Sequence, residues 1–178
     1  MAWVGSWLRY MARMRLAPYV PSPPVVSESM LTLANFRAGE RLVDLGSGDG
    51  RLLLHAVERG AASAVGYELD HDLVEESKRR VAAAGANALV RIHQRDALQS
   101  AEDLSSADVV TVYLTERGNE AILPLLRSAL KPEARVVSYV WGMGSDLPPT
   151  RTTTVTGPGC VVQFPNVLLW EREDLLMR

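Results

Sequence analysis

A single cysteine, Cys160, stands among 178 residues. It permits no internal disulfide and no cysteine-based zinc site. The three histidines, His55, His71 and His93, are scattered without metal-ligand spacing, so chemistry resting on a bound metal is not expected. No apolar run reaches the roughly 18 residues needed to span a bilayer, which points to a cytoplasmic chain. Lysine is nearly missing: Lys78 and Lys131 stand beside 17 arginines. With the abundant alanine, that bias points to a GC-rich bacterial genome. Nor is there an excess of positive charge. The 19 basic and 21 acidic residues leave a net charge of −2. No global field holds phosphate backbones, so nucleic acid is not expected as the main partner. What is present, 47% hydrophobic and 22% charged residues, is ordinary for a soluble globular protein. The length suits one domain.

Residues 1–18 differ from the rest. Arg9, Arg13 and Arg15 lie ahead of the first acid, Glu28. Trp3, Val4, Trp7, Leu8, Met11 and Met14 follow a helical period with the apolar residues on one side. This amphipathic segment reads as a helix packed on the domain surface or as an interfacial segment in weak membrane contact. An organellar transit sequence is the less favoured third reading. A stiff, extended stretch follows, with Pro18, Pro21, Pro23 and Pro24. The domain proper is placed at 19–178.

From there strand and helix alternate. A helix is expected at 25–36, then a short strand from Leu42 to Leu45 ending in glycines. Arg51–Glu58 reads as a helix that Gly60 stops. Ala64–Glu68 is the second strand, and Asp70 is the N-cap of a helix at 71–84. Leu89–His93 and Asp108–Tyr113 are the third and fourth strands. A helix over 117–130 contains Pro124, which predicts a kink or a start near 123. The fifth strand runs from Arg135 to Trp141. Continuous apolar strands alternating with helices imply a parallel sheet with both faces covered. The end breaks that rhythm. Residues 151–156 and 160–170 are both strand-like around Gly157-Pro158-Gly159, a hairpin signal. The fold class expected is α/β: a Rossmann-like sheet of five parallel strands plus a C-terminal antiparallel hairpin.

The segment Val43-Asp44-Leu45-Gly46-Ser47-Gly48-Asp49-Gly50-Arg51 lies between a strand and a helix, where open α/β sheets bind ligands. Its spacing is wrong for a dinucleotide fingerprint, because position 51 is arginine where the third glycine would fall. The loop is also acidic. Asp44 and Asp49 would repel a pyrophosphate, and they suit a ligand with an amino group and a sulfonium. S-adenosylmethionine therefore fits better than NAD. Glu68, at the end of the second strand, can accept both ribose hydroxyls. Asp96, after the third strand, can accept from an adenine amino group or cap a helix.

These residues resemble class I S-adenosylmethionine-dependent methyltransferases. More narrowly, the chain is similar to the small non-SET protein-lysine methyltransferases of prokaryotes and mitochondria. The matching pieces are Tyr19-Val20-Pro21-Ser22-Pro23, Asp44 through Arg51, Gly66-Tyr67-Glu68-Leu69-Asp70 and Asn119-Glu120. Leu130-Lys131-Pro132, leading to Arg135-Val136-Val137-Ser138, completes them. The resemblance implies cofactor contacts from Gly46, Ser47, Gly48, Glu68 and Asp96, and a strap from Tyr19 to Pro23, including Pro21, folded over the cofactor near a lysine channel. Tyr139 stands where the family usually has histidine, and the usual Trp-x-Pro element after that strand is replaced by Gly144 to Pro149. The channel wall is expected from Tyr113, Leu114, Thr115 and Asn119, with Tyr113 either facing the methyl group or only packing. Tyr139 and Trp141 read as core. The reaction implied is methyl transfer to a protein lysine amine. Small-molecule N- or O-methylation, or a non-catalytic scaffold that binds S-adenosylmethionine, are the alternatives. A base-modifying enzyme is disfavoured, because Tyr113-Leu114-Thr115-Glu116 has none of the prolines such enzymes carry after the fourth strand.

Overall fold

The structure is a computed structural model that describes residues 19–160 and 166–176. The readings of the 1–18 segment lie outside them. The chain forms α1 (Pro24–Leu33), β1 (Arg41–Leu45), α2 (Arg51–Glu58), β2 (Ser63–Glu68), α3 (His71–Ala83) and β3 (Val90–Gln94). A 3-10 turn at Ala97–Gln99 leads to α4 (Ala101–Leu104), β4 (Val109–Val112), α5 (Glu116–Ala129) and β5 (Arg135–Tyr139). The chain continues through β6 (Arg151–Thr153), β7 (Val167–Glu171) and α6 (Arg172–Leu176).

The seven strands lie in the order β3-β2-β1-β4-β5-β7-β6. β1 to β5 are mutually parallel, and β7 runs antiparallel between β5 and β6. The order reverses at β1, so β1 and β4 flank the switch point where ligands bind beyond the strand ends. Two apolar layers cover the sheet. α1, α2 and α3 supply Met30, Leu31, Leu53 and Val81 on one face. α4, α5 and α6 supply Leu104, Ile122, Leu126 and Leu175 on the other. Along β7 the alternation is visible in neighbours, Leu169 facing the first layer and Trp170 the second.

Three expectations change. α1 stops at Leu33, short of 36, and Asn35 follows in a left-handed conformation at φ 51°. α5 starts at Glu116, where the Thr115 hydroxyl caps it by accepting from the Gly118 N–H at 3.2 Å, and it stays helical through Pro124. The hairpin strands are shorter than 151–156 and 160–170. After Thr153, the Asn166 side chain replaces the ladder, its amide accepting from the Val155 N–H and donating to the Val155 C=O, each at 2.7 Å.

Candidate active site

The glycine loop turns back on itself because Gly46, Gly48 and Gly50 take φ of 86°, 52° and 77°. That region strongly favours glycine. At two of them space is also decisive. A Cβ on Gly48 would lie 2.7 Å from the Tyr19 ring, and one on Gly50 would lie 2.1 Å from the Ser77 hydroxyl. Tyr19 thus lies directly against the loop. Pro21 is exposed on that strap. Arg51 ties the strap down: one guanidinium nitrogen donates to the Ser22 carbonyl at 2.7 Å, and two others grip Asp49 at 2.9 and 2.6 Å.

Asp49 is buried and also meets Arg80 at 2.9 Å. The two arginines hold its carboxyl below the usual aspartate range, against the opposing effect of burial. This corrects the sequence reading of a doubly acidic loop, since the charge of Asp49 is already matched. Asp44 is different. It sits 6% exposed at the end of β1, and among the described residues only the Thr111 hydroxyl donates to its side chain, at 2.8 Å. Burial pushes its carboxyl up to about 7; the Thr111 bond works against that shift, and Glu68 and Asp49 add to it. A cation placed beside Asp44 would relieve that cost.

Glu68 ends β2 facing the loop. One carboxylate oxygen accepts from the Gly48 N–H at 2.9 Å, and the other accepts from Leu69 and Asp70 N–H at 2.7 and 2.9 Å. Asp96 accepts from the Leu98 N–H at 3.0 Å and so caps the 3-10 turn. Ser47 is buried, and its hydroxyl has no hydrogen-bond partner among the described residues. Leu69, just after β2, and Leu98, in the 3-10 turn after β3, are exposed near these acids. The arrangement offers apolar surfaces beside carboxylates, a loop cleared of side chains, and one buried acid suited to a cation. These features fit S-adenosylmethionine, whose flat apolar base, hydroxylated sugar and cationic tail need all three.

Beyond β4, Leu114 touches the loop: a Cβ on Gly46 would meet its methyl at 3.0 Å. Tyr113 is half-buried with its ring edge against Tyr139, centroids 4.8 Å apart. Burial and the neighbouring Tyr139 raise its phenol above the ordinary value. At neutral pH it is therefore a hydroxyl and not a base. Thr115 is the α5 cap. Asn119, expected in the channel wall, is 0% exposed and does not line an open surface. Its amide N–H groups point at Ser138 Oγ and at the carbonyls of Trp141 and Gly142, at 3.1, 2.9 and 3.0 Å. It positions the turn after β5 and touches no open channel. Tyr139 is core as expected, but Trp141 is not: β5 ends at Tyr139, Val140 turns to φ 70°, and Trp141 emerges 40% exposed.

The sequence reading missed Arg51 and Arg80 as partners of Asp49, Leu69 and Leu98 as apolar flanks, and the exposure of Trp141. The two leucines carried a readable signal, being apolar residues in loops next to candidate acids. Arg80 carried none, because its partner lies a whole strand–helix unit away.

Comparison with known proteins places this geometry. Residues 44–151 match the family described as the ANTKMT methyltransferase domain. A protein-lysine N-methyltransferase from Saccharolobus islandicus is 34% identical over 123 residues, 68% of this chain and 75% of that enzyme. The mouse adenine nucleotide translocase lysine N-methyltransferase is 34% identical over 142 residues, 80% of this chain; the match spans 59% of its length. Among solved structures, one described as an RNA methyltransferase from Salinibacter ruber, in complex with S-adenosyl-L-homocysteine, superposes with a TM-score of 0.76. It is 37% identical and covers 85% of this chain and 93% of its own.

Proposed function

The chain belongs to the ANTKMT methyltransferase-domain family and is an S-adenosylmethionine-dependent methyltransferase; we propose that its acceptor is a lysine side-chain amine of a protein. The observation that carries this acceptor is kinship to two enzymes named for protein lysines. The site's chemistry agrees with it. S-adenosylmethionine supplies an electrophilic methyl group on a sulfonium.

The residues proposed to hold it are Gly46, Ser47 and Gly48 in the loop, Asp44 and Glu68 at the strand ends, Asp96 after β3, and Tyr19 and Pro21 from the strap. Glu68 accepts from the Gly48 N–H, which turns its carboxylate toward the loop where a sugar's hydroxyls would lie. Leu69 and Leu98 offer the faces of a slot for the base.

The chain's task at the acceptor end is to deliver a neutral amine. A lysine with pKa about 10.4 is almost wholly protonated at neutral pH, and the neutral form costs about 4–5 kcal/mol. Apolar, aromatic walls lower that pKa by disfavouring the charged form. Tyr113, half-buried and backed by the core ring of Tyr139, offers such a wall. Holding the amine in line contributes further, up to about 7–11 kcal/mol in well-oriented systems. No residue here is needed as a dedicated base, and the Tyr113 hydroxyl serves as a polar contact.

A second reading, RNA as acceptor, draws support from the description of the Salinibacter ruber structure as an RNA methyltransferase. The net charge of −2 and the proline-free segment after β4 weigh against it. Tritiated methyl transfer to cell protein and to cell RNA, offered separately, decides between the two. Methyl-lysine in hydrolysed protein is the expected product. Glu68→Ala is expected to lower cofactor affinity about 10–100-fold, the worth of losing charge-assisted hydrogen bonds. Label confined to RNA or to small metabolites would overturn the acceptor assignment.

A further inference from the structure

We propose that Trp141 selects the acceptor, its indole face receiving the lysine side chain at the mouth of the site. This rests on the lysine reading above and names a residue that reading does not need.

Trp141 is held where it is by an unusual amount of structure. Val140 precedes it at φ 70°. A β-branched residue in that region is a genuine outlier, tolerated only where its surroundings over-determine it. Here they do. The Val140 N–H donates to the Asn166 carbonyl at 2.6 Å, and the Trp141 N–H donates to the Tyr139 carbonyl at 2.9 Å. The Trp141 carbonyl accepts from Ser138 Oγ at 2.6 Å and from the buried Asn119 amide at 2.9 Å. Every one of these bonds fixes backbone. None engages the indole, whose N–H has no partner among the described residues.

The product of this strain is one large aromatic side chain, 40% exposed, at the carboxyl end of β5. A turn built only for packing would place it inside, as β5 does with Tyr139. The location gives the exposure its meaning. Ser138 pairs with Val112, so the ends of β5 and β4 are adjacent, and Tyr113 and Tyr139 touch there. β1, which carries the glycine loop, is two strand spacings away, about 10 Å. The Trp141 turn and the Tyr113 wall thus lie side by side at the same end of the sheet. An indole face attracts a cationic head and packs on an aliphatic stem. It recognises lysine in its protonated form at the mouth, where the ammonium can pass its proton to solvent water before the neutral amine moves to the inner aromatic wall. Trp141 should therefore act on capture and leave the chemical step alone.

The test is steady-state methyl transfer to polylysine at saturating S-adenosylmethionine. Trp141→Ala is expected to raise KM for polylysine about fivefold, the scale of an exposed cation–π contact, with kcat within about twofold. The dissociation constant for S-adenosylhomocysteine, by calorimetry, stays at the wild-type value. Trp141→Phe keeps an aromatic face and brings KM most of the way back. An unchanged KM in Trp141→Ala, a loss confined to kcat, a weakened S-adenosylhomocysteine affinity, or no rescue by phenylalanine would each overturn the assignment. Failure of the wild-type enzyme to label polylysine or any protein is a separate result, read without the variants, and it refutes the lysine reading together with this one.

Discussion

Asp44 sits at the end of β1, and it holds its proton more tightly folded than unfolded. An unfolded aspartate titrates near 3.9, whereas burial has moved this one to about 7. The folded state binds the extra proton, so the stability this group contributes is complete below about pH 4 and is lost as pH rises through about 7. The whole span amounts to about 4 kcal/mol. Asp44→Asn keeps an acceptor for the Thr111 hydroxyl and removes the titration. The ligand-free variant is expected to melt several degrees above wild type at pH 8 and close to it at pH 4. Thermal scans across that range check it, and an unchanged pH slope would refute the assignment of the slope to Asp44. The presence of an acid here was legible from Asp44 following an apolar run into glycines. Its isolation was not. Which of two neighbouring acids finds an arginine depends on Arg51 and Arg80, and Arg80 arrives from α3.

Among elements, the strap and the glycine loop behave as one unit because Arg51 bonds both. Its fork-shaped guanidinium reaches Asp49 and the Ser22 carbonyl together, which a lysine ammonium on a thinner stem does not reproduce. Arg51→Lys is expected to leave the thermal midpoint within a few degrees of wild type, since Asp49 retains Arg80. Affinity for S-adenosylhomocysteine should fall about tenfold as Tyr19 lifts from Gly48. Equal calorimetric affinities would show that the strap is not part of the cofactor site. The elements themselves were largely readable. Val43, Val65 and Val110 sit in apolar runs bounded by glycine, proline or Asp turns, and Asp70 caps α3 as its spacing implied. Where the reading failed, a single backbone choice decided. Nothing in Tyr139-Val140-Trp141 announces a left-handed valine, since the run is uniformly apolar and β-prone. The local preference is overruled by Asn119 and Asn166, brought to the turn from two other places in the chain, together with the adjoining Ser138.

At the scale of the molecule, the sheet's two faces were legible from alternating helices and strands, but the strand order at its far edge was not. A hairpin signal says that β6 and β7 pair; it does not say which of them lies next to β5. Burial decides. β7 carries Val167, Leu169 and Trp170, all fully buried, while the short β6 is largely exposed and makes the edge. Trp170 also donates its indole N–H to the Leu147 carbonyl at 3.1 Å, fastening the loop after β5. A chain ended at Pro165 should accordingly lose more than an edge. We expect it to elute as aggregate in size-exclusion chromatography and to show no cofactor binding. A monomeric, ligand-binding product would show β7 to be dispensable.

The interior place of so late a strand has a consequence during synthesis. A ribosome adds about 5–20 residues per second, so on the order of two to six seconds pass between the emergence of Tyr139 and that of Glu171. For that interval the nascent polypeptide shows the bare rim of β5 to its surroundings, with unpaired amides and carbonyls open to any neighbouring strand. The protein's exposure to co-translational misassembly, and its call on holdase chaperones, are concentrated in those few seconds.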